Sequence, residues 1–91
     1  MYQISIQYDE EFVEELHALP KDIQRKAVKT EFLFRNNIFH PSLRLHKLYG
    51  MLKGLWSISV DYKYRIIFEQ MEKDTVFFHS IGAHTIYEDL L

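Results

Sequence analysis

Three side chains in this sequence supply the groups for an acid–base reaction at an anion. They are His46 in Leu45-His46-Lys47-Leu48, Arg65 in Tyr64-Arg65-Ile66-Ile67-Phe68, and His84 in Ser80-Ile81-Gly82-Ala83-His84. Two imidazoles and a guanidinium suffice to cleave an RNA phosphodiester without a metal. One imidazole takes the 2′-hydroxyl proton, the other protonates the leaving oxygen, and the arginine holds the charged phosphate. Pattern alone leaves their directions open. If Leu45 and Lys47 share one face of a strand, His46 and Leu48 share the other. An arginine beside the apolar run Ile66-Ile67-Phe68 is costly to bury without a partner. Arg65 therefore either pairs with Asp61 or Glu69, or faces an anion-binding surface. His17, His40 and His79 read as structural or surface groups. No HExxH, no ligand-spaced pair with a carboxylate, no Gly-rich phosphate loop and no Gly-x-Ser-x-Gly elbow is present, so neither a metal nor a cofactor is expected.

A small fold must position these residues. The 91-residue chain is 47% hydrophobic, with 7 Phe, 6 Tyr and 1 Trp to fill a core, and reads as a single domain over residues 1–91. Tyr2, Ile4, Ile6 and Tyr8 alternate with polar residues, the period of a half-buried strand. Asp9 is placed to cap a helix with Phe12, Val13, Leu16 and Leu19 on its apolar side; Glu10 and Glu11 suit its positive end. Pro20 opens a second helix with Ile23, Ala27, Thr30, Leu33 and Phe34 on one face, stopped by Asn36 and Asn37. Phe39 to Ser42 reads as a loop, because the residue before a proline avoids the helical region. Strands are expected at Leu43–Tyr49, Trp56–Tyr62, Tyr64–Gln70 and Thr75–Ile81, with a glycine-flanked turn at Gly50–Gly54. Gly82 is expected to release the chain into a tail. The order β-α-α-β-β-β-β implies an α+β fold, a two-helix hairpin on one face of a mostly antiparallel sheet.

The formal charge is −2, but it is unevenly spread. Residues 1–19 carry five acids and neither Lys nor Arg, residues 20–65 carry a net +7, and residues 66–91 a net −4. A local basic block can bind polyanions on a mildly acidic molecule. The absence of cysteine excludes disulfides and thiolate metal sites and fits a reducing cytoplasm. No apolar run is long enough for a membrane span, and the N-terminus lacks a signal-peptide pattern, so no membrane partner is expected.

Nearly the whole chain resembles the RelE/ParE toxin superfamily, specifically its RelE/YafQ branch. The residues that carry the likeness are Leu48…Gly54-Leu55-Trp56-Ser57-Ile58, Tyr64-Arg65-Ile66-Ile67-Phe68 and Ile81-Gly82-x-His84. The resemblance implies the toxin of a type II toxin–antitoxin system, an endoribonuclease that cuts mRNA in the ribosomal A site and inhibits translation. Its implied partners are a cognate antitoxin, mRNA and the ribosome. By family position His46 is the general base, Arg65 the contact to the scissile phosphate, His84 the general acid, and Tyr87 an orienting or stacking residue of the tail. Arg44, Lys47, Lys53 and Lys63 are the cations expected on the RNA. The chain departs from RelE by placing Ser57 and Ser59 where that toxin has lysines, and from YafQ by Ser59 in place of a further histidine. The alternatives are a ParE-like gyrase-inhibiting toxin and a catalytically decayed toxin that only binds its antitoxin.

Overall fold

The structure, a computed structural model, describes residues 4–83. Strand β1 (Ser5–Tyr8) leads into helix α1 (Glu10–Ala18) and helix α2 (Lys21–Asn36). Strands β2 (His46–Lys47), β3 (Trp56–Ser59), β4 (Tyr64–Glu72) and β5 (Thr75–Ala83) follow. The sheet order is β1-β5-β4-β3-β2; β1 runs parallel to β5 and the other pairs are antiparallel. This is the expected α+β arrangement, two helices on a five-stranded mixed sheet.

The helices begin and end where their chemistry dictates. The Asp9 carboxylate accepts the Glu11 N–H at 2.9 Å and caps α1. Pro20 sits one residue outside α2 and fixes the entry angle, and the Asn37 N–H closes the helix on the Leu33 carbonyl. Ile23, Ala27, Thr30 and Phe34 form the buried face of α2. Phe34 meets Phe68 and Phe78 at ring-centre distances of 5.0 and 5.6 Å, and Ile58, Ile66 and Ile81 complete that core. Val13, expected inside, is exposed, because α1 lies beside the sheet edge and buries only Phe12 fully.

That edge position has a purpose. β1 covers β5 only from Thr75 to Phe78. Beyond it the Glu15 carboxylate of α1 accepts the Ile81 N–H at 3.1 Å and the Ser80 hydroxyl at 2.7 Å. A side chain thus does for the upper half of β5 what a strand does for the lower half.

Three expected boundaries are corrected. Only His46 and Lys47 of the stretch 43–49 pair as a strand; Pro41–Leu43 instead form a 3-10 turn, capped by the His40 imidazole, that buries Leu43. Proline fixes the φ of a helical first turn and lacks the N–H a strand needs. β3 stops at Ser59 because the Asp61 carboxylate captures the Lys63 and Tyr64 N–H groups, both at 2.8 Å, and folds the chain into a turn that leaves Tyr62 outside. Gly82 does not release the chain: it pairs with Arg65 inside β5, which runs on to Ala83.

Candidate functional site

Register decides which side chains can meet. His46 pairs with Ser57, Ser57 with Ile67, Ser59 with Arg65, and Arg65 with Gly82. His46, Ser57, Ser59, Arg65 and Gly82 therefore share the sheet face opposite the helices, whereas Trp56, Ile58, Ile66 and Phe68 face them. His46 and Arg65 lie two strands and two residues apart, which puts their Cα atoms roughly 12 Å apart. Both side chains are long enough to converge on one phosphate between them.

Arg65 is half-buried, and its partner is neither of the two carboxylates the sequence offers. Asp61 pairs with Lys26 at 3.4 Å, and Glu69 pairs with His79 at 2.9 Å. The guanidinium instead donates to the Ser59 hydroxyl at 2.5 Å. Among the described residues no carboxylate pairs with Arg65. In the sequence Ser59 stands out only as the residue that replaces a RelE lysine and a YafQ histidine. The signal that would have found it is the hairpin: two residues flanking a five-residue turn become cross-strand partners.

His46 is exposed on the edge strand, with its Nδ1 3.0 Å from the Arg44 carbonyl. A carbonyl only accepts, so Nδ1 is the donor in this contact and Nε2 is the ring nitrogen it leaves unengaged. The carbonyl is aimed by Arg44 itself, held in the left-handed region at φ 48°, ψ 47° as the cap of the 3-10 turn. The backbone there holds Nδ1, and a general base would act through Nε2.

Asp61 is the one described group whose titration is clearly displaced. Burial alone raises its carboxyl, but the Tyr64 and Lys63 N–H groups, with a hydrogen bond and the charge from Lys26, outweigh that and hold it below its ordinary value. It is a structural ion that ties the β3–β4 turn to α2.

The remaining expected site residues divide. Lys47 lies over the Trp56 ring at 5.3 Å and Lys63 over the Tyr64 ring at 5.4 Å; Lys53 follows the 3-10 turn Gly50–Leu52. Register puts Lys47 on the helix-side face, opposite to His46, so the cations do not all line the His46–Arg65 surface. His84 and Tyr87 lie outside the described residues. His17 and His40 are local contacts: the His17 carbonyl accepts from Gln24 at 3.3 Å, and His40 Nδ1 meets Ser42.

Compared by sequence, the chain matches no family model and no curated protein. Compared by structure, it is similar to YafQ from E. coli, with TM-score 0.76 and 19% identity over 93% of this chain and 98% of that one. A YoeB/ParE toxin from Agrobacterium tumefaciens aligns at TM-score 0.73 and 10% identity, over 89% of this chain and 99% of its own. The toxin–antitoxin complex RelBE2 from Mycobacterium tuberculosis aligns at TM-score 0.70 and 20% identity, over 92% and 94% of the two chains. The same two-helix layer on a five-stranded sheet recurs in each, end to end: the chain has the RelE/YafQ toxin fold.

Proposed function

We propose that this chain is the toxin of a type II toxin–antitoxin pair and an endoribonuclease that cuts mRNA in the ribosomal A site. The ribose 2′-oxygen attacks the adjacent phosphorus and the bond to the 5′-oxygen breaks, giving a 2′,3′-cyclic phosphate and a 5′-hydroxyl. His46 Nε2 takes the 2′-hydroxyl proton, Arg65 neutralises the charge that builds on the phosphoryl oxygens, and His84 returns a proton to the leaving 5′-oxygen. Tyr87 orients the tail against the substrate. Arg44, Lys53 and Lys63 contact the RNA backbone. The observation that carries this reading is an arginine with no carboxylate partner among the described residues, on one sheet face with a histidine whose Nδ1 is held by a backbone carbonyl.

The partner that silences such a protein is a cognate antitoxin. Support comes from the DinJ–YafQ and RelBE2 toxin–antitoxin complexes, whose toxins share this fold. The basic block of residues 20–65 fits an acidic or amphipathic segment that folds as it binds.

Induced expression with mapping of mRNA ends tests the proposal. The expected result is growth arrest with cleaved, ribosome-bound mRNA bearing cyclic phosphate ends, both lost on His46→Ala. Growth arrest with intact mRNA overturns the nuclease reading, and an accompanying DNA-damage response points to gyrase instead. A tight antitoxin complex without growth arrest identifies a decayed toxin.

A further inference from the structure

We infer that the cleft between β2, the Gly50–Leu52 turn and β3 is a subsite for one unpaired nucleotide, its base on Tyr49 and its phosphate between Lys47 and Lys53. The inference rests on the RNA reading above and assigns a substrate contact away from the reacting phosphate. The cleft encloses about 320 Å³ and is lined by Lys47, Tyr49, Lys53, Leu55 and Trp56 with neighbouring backbone. Its charge sets it apart. Three other cavities each contain a carboxylate, from Asp74, Glu31 or Asp61, whereas no acid among the described residues lines this one. Neither lysine is in a salt bridge among the described residues, where those pairs are Lys26–Asp61, Arg35–Glu31 and His79–Glu69.

The walls are aromatic as well as basic. Trp56 is stacked on Phe68 at 6.5 Å and has the Lys47 ammonium 5.3 Å from its ring centre, which steadies that cation. Tyr49 is 79% exposed, a ring with no burial to explain it. The loop that carries it is nevertheless closed: the Leu48 N–H donates to the Leu55 carbonyl at 2.9 Å and the Lys53 N–H to the Gly50 carbonyl at 3.2 Å. Gly50 and Gly54, at φ 67° and 98°, allow that tight path. An exposed ring on a held loop between two cations that pair with no described carboxylate matches a single-stranded nucleotide, because every base has a π face and every nucleotide a phosphate.

Position links the cleft to the reacting centre. β2 is the edge strand and only two residues long, with His46 on one face and Lys47 on the other. An RNA strand rounding that edge presents one nucleotide to the cleft and a neighbouring phosphodiester to His46.

Trp56 is the sole tryptophan, so its fluorescence reads this cleft directly. The probe is a single-stranded RNA octamer carrying 2′-O-methyl groups throughout, which removes the attacking hydroxyl and prevents cleavage. A saturable change in Trp56 emission is expected, absent with the duplex of the same sequence. Tyr49→Ala raises the Kd about tenfold. Lys53→Ala raises it too and reduces the slope of log affinity against log salt by about one. Both side chains are exposed, so unfolding curves of the two variants match the parent. If both variants bind as the parent does while Arg65→Ala binds weakly, the RNA reading stands and the subsite is overturned. If the parent shows no Trp56 response, the subsite is likewise overturned. If the subsite responds as expected but the expressed protein leaves mRNA intact, the subsite stands and the nuclease reading falls.

Discussion

Ser59 and Arg65 are direct partners across β3 and β4, and the serine hydroxyl accepts a guanidinium N–H at 2.5 Å. A free arginine surrenders much of its rotamer freedom on meeting an anion; this one has surrendered part of it on folding. The serine thus performs a positioning task without adding charge of its own.

Ser59→Ala removes that restraint and leaves the charge. Since ordering a long side chain costs up to about 2 kcal/mol, the expected loss is about tenfold in cleavage rate. Arg65→Ala removes the charge and is expected to cost about 10²–10³-fold. Arg65→Lys is expected to fall near the alanine variant, because a lysine lacks the planar fork. Rates from mapped mRNA ends in a translation extract check all three; equal losses for Ser59→Ala and Arg65→Ala contradict the positioning role.

Asp61 gives the fold a pH signature. Its carboxyl is depressed in the folded state, so the stabilisation is complete above the ordinary carboxylate pKa and is lost as pH falls through the folded value. Asp61→Asn keeps an acceptor for the Lys63 and Tyr64 N–H groups but loses the ion pair with Lys26. The variant is expected to be less stable than the parent at pH 7, with the gap closing below about pH 4. Denaturant unfolding at the two pH values measures it; a gap independent of pH assigns the effect to packing.

Periodicity in the sequence sufficed for the helices, because Asp9, Pro20 and Asn37 punctuate clear apolar faces. Apolar runs bounded by polar turns also sufficed to locate β4 and β5, whose centres are buried. Both failed where tertiary burial overrides local pattern. Leu43 is apolar for the core beneath α2, not for a strand, and Gly82 lies paired within a strand, not at a joint. His46 and Arg65 were legible as residue types; the Ser59 bond and the Arg44 carbonyl were not, since both depend on hairpin register and on one left-handed residue.

Glu15 closes the half of β5 that β1 does not pair with. Glu15→Ala leaves the buried Ser80 hydroxyl and the Ile81 N–H without their acceptor, at an expected cost of about 1–3 kcal/mol. Faster hydrogen exchange at the Ile81 amide, with little change at Phe34, distinguishes local opening of this edge from global loss.

Arg44 adopts a conformation that L-residues other than asparagine and aspartate seldom occupy. Arg44→Gly is expected to relieve about 1–2 kcal/mol of local strain, partly offset by the freedom glycine gains when unfolded. The melting temperature therefore rises by a few degrees in a domain of about this size. The carbonyl that holds His46 Nδ1 is retained, so a thermal scan and an activity assay separate stability from any phosphate contact of Arg44.

The outward side of α2 bears Lys21, Arg25 and Lys29, with Lys26 committed to Asp61. Reversing the three to glutamate is expected to weaken the antitoxin complex in a salt-dependent way. Unchanged affinity and unchanged salt dependence make that surface a solvated face.

β1, the first described strand to be made, hydrogen-bonds in parallel to β5, the last of them. Synthesis delivers a chain from its N-terminus, and pairings between such distant segments form late. The nascent polypeptide therefore holds α1, α2 and the β3–β4 hairpin before β5 can slot between β1 and β4 and set Gly82 opposite Arg65. On the function proposed here, the emerging chain lacks the assembled face around Arg65 until β5 has paired.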